Sequence, residues 1–258
     1  MTTNKIARPL AAFDLDGTLV REQQLVLLSK QCLEQGIFRP IFDLMFRRVR
    51  LKHRDRKITF EEYDHEIIKL FTKRIKGKMQ EDVVVAAEQV YEKHRDWLYV
   101  FTNALLAELR KTHEMITITG AMREVVEHMA PYWGFEHFYA TELEVNEDGR
   151  YTGIHKSLPV FDKGRALREH VAKFKSSLKG SVAIGDTGSD ISMLAEVEIA
   201  IAFNPNGVLH DEAQKRGWPV VIERKDGIYV LMEHDVRRFK SSVPSDVLEA
   251  VHYVLSAK

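Results

Sequence analysis

Ala11-Ala12-Phe13-Asp14-Leu15-Asp16-Gly17-Thr18-Leu19-Val20 is the stretch on which the reading of the fold turns. The apolar run from Leu10 to Phe13 predicts a short buried strand. Gly17-Thr18 breaks it. Asp14 and Asp16 leave its C-terminal end two residues apart, which by strand geometry puts them on one face. Two anions so close are costly unless a cation sits between them or one carries a proton. Such a pair suits a hard divalent metal with oxygen ligands. It equally suits a carboxylate nucleophile that forms an aspartyl-phosphate. Taken alone, the same residues also read as an ordinary strand end and polar turn, so partners further along the chain decide.

The 258 residues suffice for one large domain or a core domain with an insertion. Lys plus Arg and Asp plus Glu both number 38, so the formal charge is zero and no global field argues for nucleic acid or an acidic substrate. The single cysteine, Cys32, has no internal disulfide or CxxC partner, which suits a reducing cytoplasm. Residues 1–9 are polar and lack the apolar stretch of a secretory signal. No run approaches the roughly 20 apolar residues needed to cross a bilayer. A cytoplasmic protein is expected.

After Val20 the pattern is helical for about 90 residues, read at the 3.6-residue spacing of apolar positions. Gln24 to Leu33 forms the first helix, with Gly36 as its stop. Pro40 opens the second. Thr59 with Glu62 three residues on has capping-box spacing for a third. Further helices are expected over Glu81 to His94 and Asn103 to Lys111. At Met115-Ile116-Thr117-Ile118-Thr119-Gly120 the pattern changes to a β-branched run, a second buried strand.

From there strands and helices alternate. Helices are expected over Ala121–Tyr132, Asp162–Lys175, Ser189–Glu196 and Gly207–Arg216. Strands are expected over Phe138–Val145, Arg150–Ile154, Ser181–Asp186, Ile199–Phe203 and Pro219–Glu223. Such alternation argues for an α/β fold, a parallel sheet with helices on both faces. Sites in such sheets lie at the C-terminal strand ends, where Asp14, Asp16, Thr119 and Asp186 are all expected. Residues 1–20 and 113–258 then form the α/β core, and residues 21–112 an all-helical insertion over the strand ends. An insertion so placed can exclude water and choose the substrate.

Gly185-Asp186-Thr187-Gly188-Ser189-Asp190 brings two more carboxylates to a strand end. One can ligate a metal while the other supports the shell or a lysine, or Asp190 can serve only as a helix N-terminal charge. Thr119 offers a hydroxyl, and Gly120 a backbone amide for an anionic oxygen. Lys163 opens a helix, where a cation opposes the dipole; Lys156 competes for the same role. The 11 histidines show no paired metal spacing.

In order, Asp14/Asp16, Thr119, Lys163 and Asp186/Asp190 resemble the four signature motifs of the haloacid dehalogenase superfamily. The resemblance spans essentially the whole chain. The position of the insertion looks like the phosphoserine-phosphatase-like branch, which has a Rossmann-like core and a helical C1 cap. Asp190-Ile191-Ser192-Met193-Leu194 and Ile201-Ala202-Phe203-Asn204-Pro205 are similar to that branch too.

The resemblance implies a magnesium-dependent hydrolase of a small phosphomonoester. Asp14 would be the nucleophile, and Asp16 the general acid and then base. Thr119, Gly120 and Lys163 would bind the phosphoryl oxygens. The carboxylates of Asp14 and Asp186 and the backbone carbonyl of Asp16 would bind Mg2+, with Asp190 and Ser189 in support. A phosphotransferase or mutase shares the intermediate and differs in water access. A phosphate-binding protein on the same fold would be expected to carry broken motifs, whereas every motif carboxylate is present. No nucleic-acid partner is expected.

Substrate choice is read from the insertion. In the phosphoserine phosphatases a Glu soon after the first motif pairs with the substrate ammonium, and a cap Arg with its carboxylate. Here the Glu position falls on Gln23, with Glu22 one residue off, and the Arg position falls on Ile67. A phosphomonoester other than phosphoserine is therefore expected. The basic segment Arg47 to Lys57, with Arg50 and Arg54, reads first as a solvated helix face, and alternatively as recognition of an anionic tail.

Overall fold

The computed structural model describes residues 8–256. Residues 1–7, read above as lacking a secretory signal, lie outside them. The first strand, β1 (Pro9–Phe13), is followed by helices α1 (Gln24–Glu34), α2 (Ile41–Arg54), α3 (Phe60–Ile75), α4 (Gln80–His94) and α5 (Val100–Leu109). Next come β2 (Glu114–Met122), α6 (Arg123–Trp133), the hairpin β3 (His137–Val145) and β4 (Tyr151–Ser157), and α7 (Lys163–Phe174). The chain continues through β5 (Ser177–Gly185), α8 (Ile191–Leu194), β6 (Ile199–Phe203), α9 (Gly207–Arg216) and β7 (Val220–Arg224). It closes with β8 (Gly227–Met232), β9 (Asp235–Lys240) and α10 (Pro244–Leu255).

All nine strands join one sheet in the order β4-β3-β2-β1-β5-β6-β7-β8-β9. The central six, β3 to β7 in that order, run parallel. Both flanks are antiparallel, β4 on one side and the β8–β9 hairpin on the other. The expected parallel sheet forms the centre, the strands expected around Glu147-Asp148-Gly149 form the hairpin at one edge, and a second antiparallel hairpin extends the other edge. At the edges, short turns such as Glu147-Asp148-Gly149 leave no room for a crossover helix.

β1 shows why the sheet is covered twice. Its side chains alternate between two cores, as a period of two requires. Ala11 and Phe13 point into a cluster shared with α1 to α6 and α10. Leu10 and Ala12 point into a second cluster closed by α7, α8 and α9. A strand buried on both faces reads as a continuous apolar run, which is what Leu10 to Phe13 is.

The capping box at Thr59 forms: Glu62 N donates to Thr59 Oγ1, and Thr59 N to Glu62 Oε2. Helix α5 starts three residues earlier than expected. Its first turn is held there by packing: Tyr99 and Phe101 lie against Phe203, and α5 packs on α10. β2 runs on through Thr119 and Gly120 to Met122, where a helix was expected from Ala121. Its pairing with β3 shifts between Ile118 and Met122, so the stretch carrying Thr119 is an irregular extension beyond the regular ladder. The helix expected over Ser189–Glu196 shortens to α8 because a 3-10 turn occupies Gly188–Asp190. No helix among the described residues is long and apolar enough to cross a membrane.

Candidate active site

β1 and β5 are paired neighbours, so the loops at their C-terminal ends meet. Asp14 follows β1 directly and is anchored there, its amide donating to Ile184 O at 3.0 Å. Two glycines make room for the carboxylates. Gly17 has φ +81°, which favours glycine, and a Cβ there would run into the Asp186 carboxylate. A Cβ on Gly185 would run into Asp190.

Lys163, at the first position of α7, lies between two of these acids. Its Nζ donates to Asp14 Oδ1 at 2.5 Å and to Asp190 Oδ1 at 2.6 Å, with all three side chains buried. Burial alone would push the ammonium pKa down, but the charges of Asp14 and Asp190 outweigh it and hold the pKa above the ordinary lysine value. Lys156 lies elsewhere, half-exposed on β4 and 4.0 Å from Glu142. Geometry thus separates the two lysines that spacing left open.

The other oxygen of Asp190 accepts from the amides of Asp186 and Thr187, at 3.0 and 2.9 Å. Asp190 thereby closes the loop and positions the lysine. Ser189 Oγ lies 2.8 Å from Thr187 Oγ1, one contact further out. Asp16 turns to the other side and accepts from Gln24 N at 2.9 Å, tying the first turn of α1 to the strand end. Thr119 is fully buried, and its Oγ1 accepts from Ala121 N at 3.1 Å. Its hydroxyl proton has no acceptor among the described residues. Gly120 lines the adjoining cavity.

Thr18 joins the site without having been singled out in the sequence. Its hydroxyl lies 3.2 Å from Asp14 Oδ2 and 3.3 Å from Asp186 Oδ1, and can donate to only one at a time. Its place two residues after Asp16 was the available signal, but a Thr after a Gly is also a common turn residue.

Carboxylate oxygens of Asp14, Asp186 and Asp190 lie within 4.8 Å of one another. Burial first, and the charges on neighbouring acids second, push Asp186 well above the usual carboxylate range. Asp14 is pushed up to about 6, burial outweighing the nearby Lys163. Asp16 is pushed up to about 8, by burial and then by the charge on Asp14. One ammonium therefore faces three convergent acids, and among the described residues the Asp186 side chain meets only the Thr18 hydroxyl, which it shares with Asp14, and the Asp14 carboxylate itself. That shortage of positive charge in an all-oxygen donor set fits a hard divalent cation.

A cavity of about 260 Å3 opens onto these carboxylates, with α3 as its roof. Gln23 and Ile67 line it, as do Asp64, Phe60, Val160 and Phe161. Glu22 does not line it and is exposed to solvent. Arg50 and Arg54 lie outside it, on a neighbouring groove of about 730 Å3 that shares Gln23 and Phe60 with the cavity. Arg54 is paired with Asp55. Sequence reasoning also missed Asp64 and Glu61, because the first turn of α3 carries several acids and only the fold shows which of them face inward.

The family model of haloacid dehalogenase-like hydrolases matches residues 11–195. A probable phosphatase of Mycobacterium tuberculosis is 29% identical over 225 residues, 83% of this chain and 75% of that one. A phosphoserine phosphatase of Archaeoglobus fulgidus is 28% identical over 207 residues, 79% of this chain and 55% of that one. Among solved structures, a phospho-aspartyl intermediate analogue of phosphoserine phosphatase is similar in fold, with a TM-score of 0.58 at 21% identity, covering 85% of this chain and 95% of that one. The matched span contains every acid that converges on Lys163, and the chain belongs to the haloacid dehalogenase-like hydrolases, with the fold of their phosphoserine-phosphatase-like branch.

Proposed function

We propose that this phosphatase is a magnesium-dependent phosphomonoesterase working through an aspartyl-phosphate on Asp14. The observation that carries the reading is the buried Lys163 ammonium held between Asp14 and Asp190 at the floor of a cavity. Phosphoryl transfer asks for positioning and for positive charge at the phosphoryl oxygens more than for covalent chemistry.

Lys163 and Thr18 each hold one oxygen of Asp14 and so fix the direction of its lone pairs. Asp14 attacks phosphorus, and the bond to the ester oxygen breaks. The departing alkoxide takes a proton from Asp16, whose raised pKa keeps it protonated near neutrality. Water then attacks the phosphorus with Asp16 as base, the bond to Asp14 breaks, and alcohol and inorganic phosphate are the products. Thr119, Gly120 and Lys163 hold the phosphoryl oxygens. Mg2+ held by the carboxylates of Asp14 and Asp186 and the backbone carbonyl of Asp16 would supply the remaining positive charge, with Asp190 and Ser189 supporting the loop. The helices of residues 21–112 act as a cap over this site, and the buried lone thiol of Cys32 suits a cytoplasmic location.

The substrate is a small phosphomonoester other than phosphoserine. Gln23 and Ile67 line the cavity, and the resemblance sets them at the positions that would have to pair with the ammonium and the carboxylate of phosphoserine. A desolvated, unpaired carboxylate against Ile67 would cost on the order of several kcal/mol. The test is phosphate release from p-nitrophenyl phosphate with Mg2+, followed by a panel of phosphorylated metabolites. Loss of at least about 1000-fold is expected with EDTA and with Asp14→Asn, as for removal of a nucleophile. Activity that survives either change contradicts the mechanism. Phosphoserine beating every other panel member tenfold in kcat/KM contradicts the reading of Gln23 and Ile67.

A further inference from the structure

Asp64 lies in the first turns of α3, the roof of the cavity. Among the described residues its carboxylate accepts no hydrogen bond and makes no ion pair. Burial pushes its pKa above the ordinary range, with Lys163 and then His65, its chain neighbour on the same cavity, pulling the other way without contact. Its field also reaches Asp16. The walls beside it are largely apolar, formed by Phe60, Ile67, Val160 and Phe161. The lysine below is already shared by Asp14 and Asp190.

A half-buried carboxylate with no partner is costly to keep in a folded protein. Here it faces the place where the alcohol part of a phosphate ester must sit. Resting on the phosphatase reading above, we propose that Asp64 is a specificity-determining residue that pairs with a protonated amine of the substrate, so that the preferred substrates are phosphate esters of amino alcohols. The floor of the cavity takes the phosphoryl group and the roof takes the ammonium. A hydroxyl could donate to Asp64 but would leave the charge uncompensated, whereas an ammonium removes both deficits. An acid group near the ester would be repelled by Asp64, which again disfavours phosphoserine.

Ethanolamine, propanolamine and butanolamine phosphates test this, each against the isosteric esters ending in hydroxyl and in methyl. For the wild-type enzyme the best amine ester is expected to exceed both its isosteres about tenfold or more in kcat/KM, the scale of one charge-assisted pair. In Asp64→Asn that ratio is expected to fall close to one. The ratio is internal to each protein, so a general loss of activity in the variant does not affect it. A wild-type ratio near one, a preference for the hydroxyl ester, or a ratio that persists in Asp64→Asn each overturns the proposal. If p-nitrophenyl phosphate is turned over while the amine preference is absent, the inference fails alone. If no ester is hydrolysed with Mg2+, the phosphatase reading fails and takes the inference with it.

Discussion

Asp14 and Asp16 are two residues apart and are held in opposite ways. Asp14 has an ammonium on one oxygen and a hydroxyl near the other, while Asp16 has one backbone amide and, among the described residues, no cation in contact. The first arrangement favours an exposed lone pair, the second a retained proton. With Asp16 pushed up to about 8, its acid form is present at neutral pH and is lost as pH rises through that value. The kcat/KM for an alkyl phosphate, whose leaving group needs a proton, is therefore expected to fall on the alkaline side. For p-nitrophenyl phosphate, whose leaving group needs none, the fall should be shallower. Asp16→Asn should abolish the alkaline limb and slow the alkyl ester by roughly 100- to 10000-fold. A pH–rate profile of the two esters reads this directly, and equal limbs would contradict the assignment. Gly17→Ala is expected to cost on the order of 1 kcal/mol from its positive φ. The added Cβ should also displace the Asp186 carboxylate, so Mg2+ affinity by calorimetry should drop while the far-UV circular dichroism stays native.

Helix α3 meets the strand ends through a contact that can be separated from stability. Asn206 Oδ1 caps α9 by accepting from Leu209 N, and Asn206 Nδ2 donates to Glu61 on α3 at 3.0 Å. Asn206→Asp keeps a capping oxygen but replaces the donor with a charge that repels Glu61. The melting temperature is expected to stay close to wild type, because Asp caps as well as Asn. The KM should rise several-fold as α3 is released from the strand ends. An unchanged KM would show that α3 does not depend on this contact. Asn206→Ala should in addition cost about 1 kcal/mol through the lost cap.

At this scale the sequence was readable wherever periodicity or a cap was strong. β6 and α9 match their expected spans, and the Thr59 capping box forms as read. The hairpin β8–β9 and helix α10 went unread. β9, Asp235 to Lys240, exposes most of its side chains, so its alternation carries little apolar signal. α5 was misplaced because its start is set by Phe203, a contact about a hundred residues away in sequence.

Across the whole molecule one hydrophobic cluster runs from β1 through α1, α2, α3 and α4 into α6 and α10. Helices α1 to α4 and the sheet thus share a core, and a single cooperative thermal transition is expected. Mg2+ with beryllium fluoride should raise its midpoint by linkage, by about 2.7 kcal/mol of stabilisation at a hundredfold excess over Kd. Asp186→Asn should remove that shift. The motif acids were legible because each follows a strand end in the chain itself. Thr18 and Asp64 were not, since their place at the site arises from what the fold sets opposite them. The central claim is that Asp14 carries the phosphoryl group between ester and water. Acid-quenching the enzyme during turnover with Mg2+ and locating the adduct by peptide mass spectrometry tests it most directly. A hydroxylamine-labile phosphoryl group on Asp14, absent in Asp14→Asn, is the expected result. Phosphate release with no adduct on Asp14, or with the adduct on another residue, would contradict it.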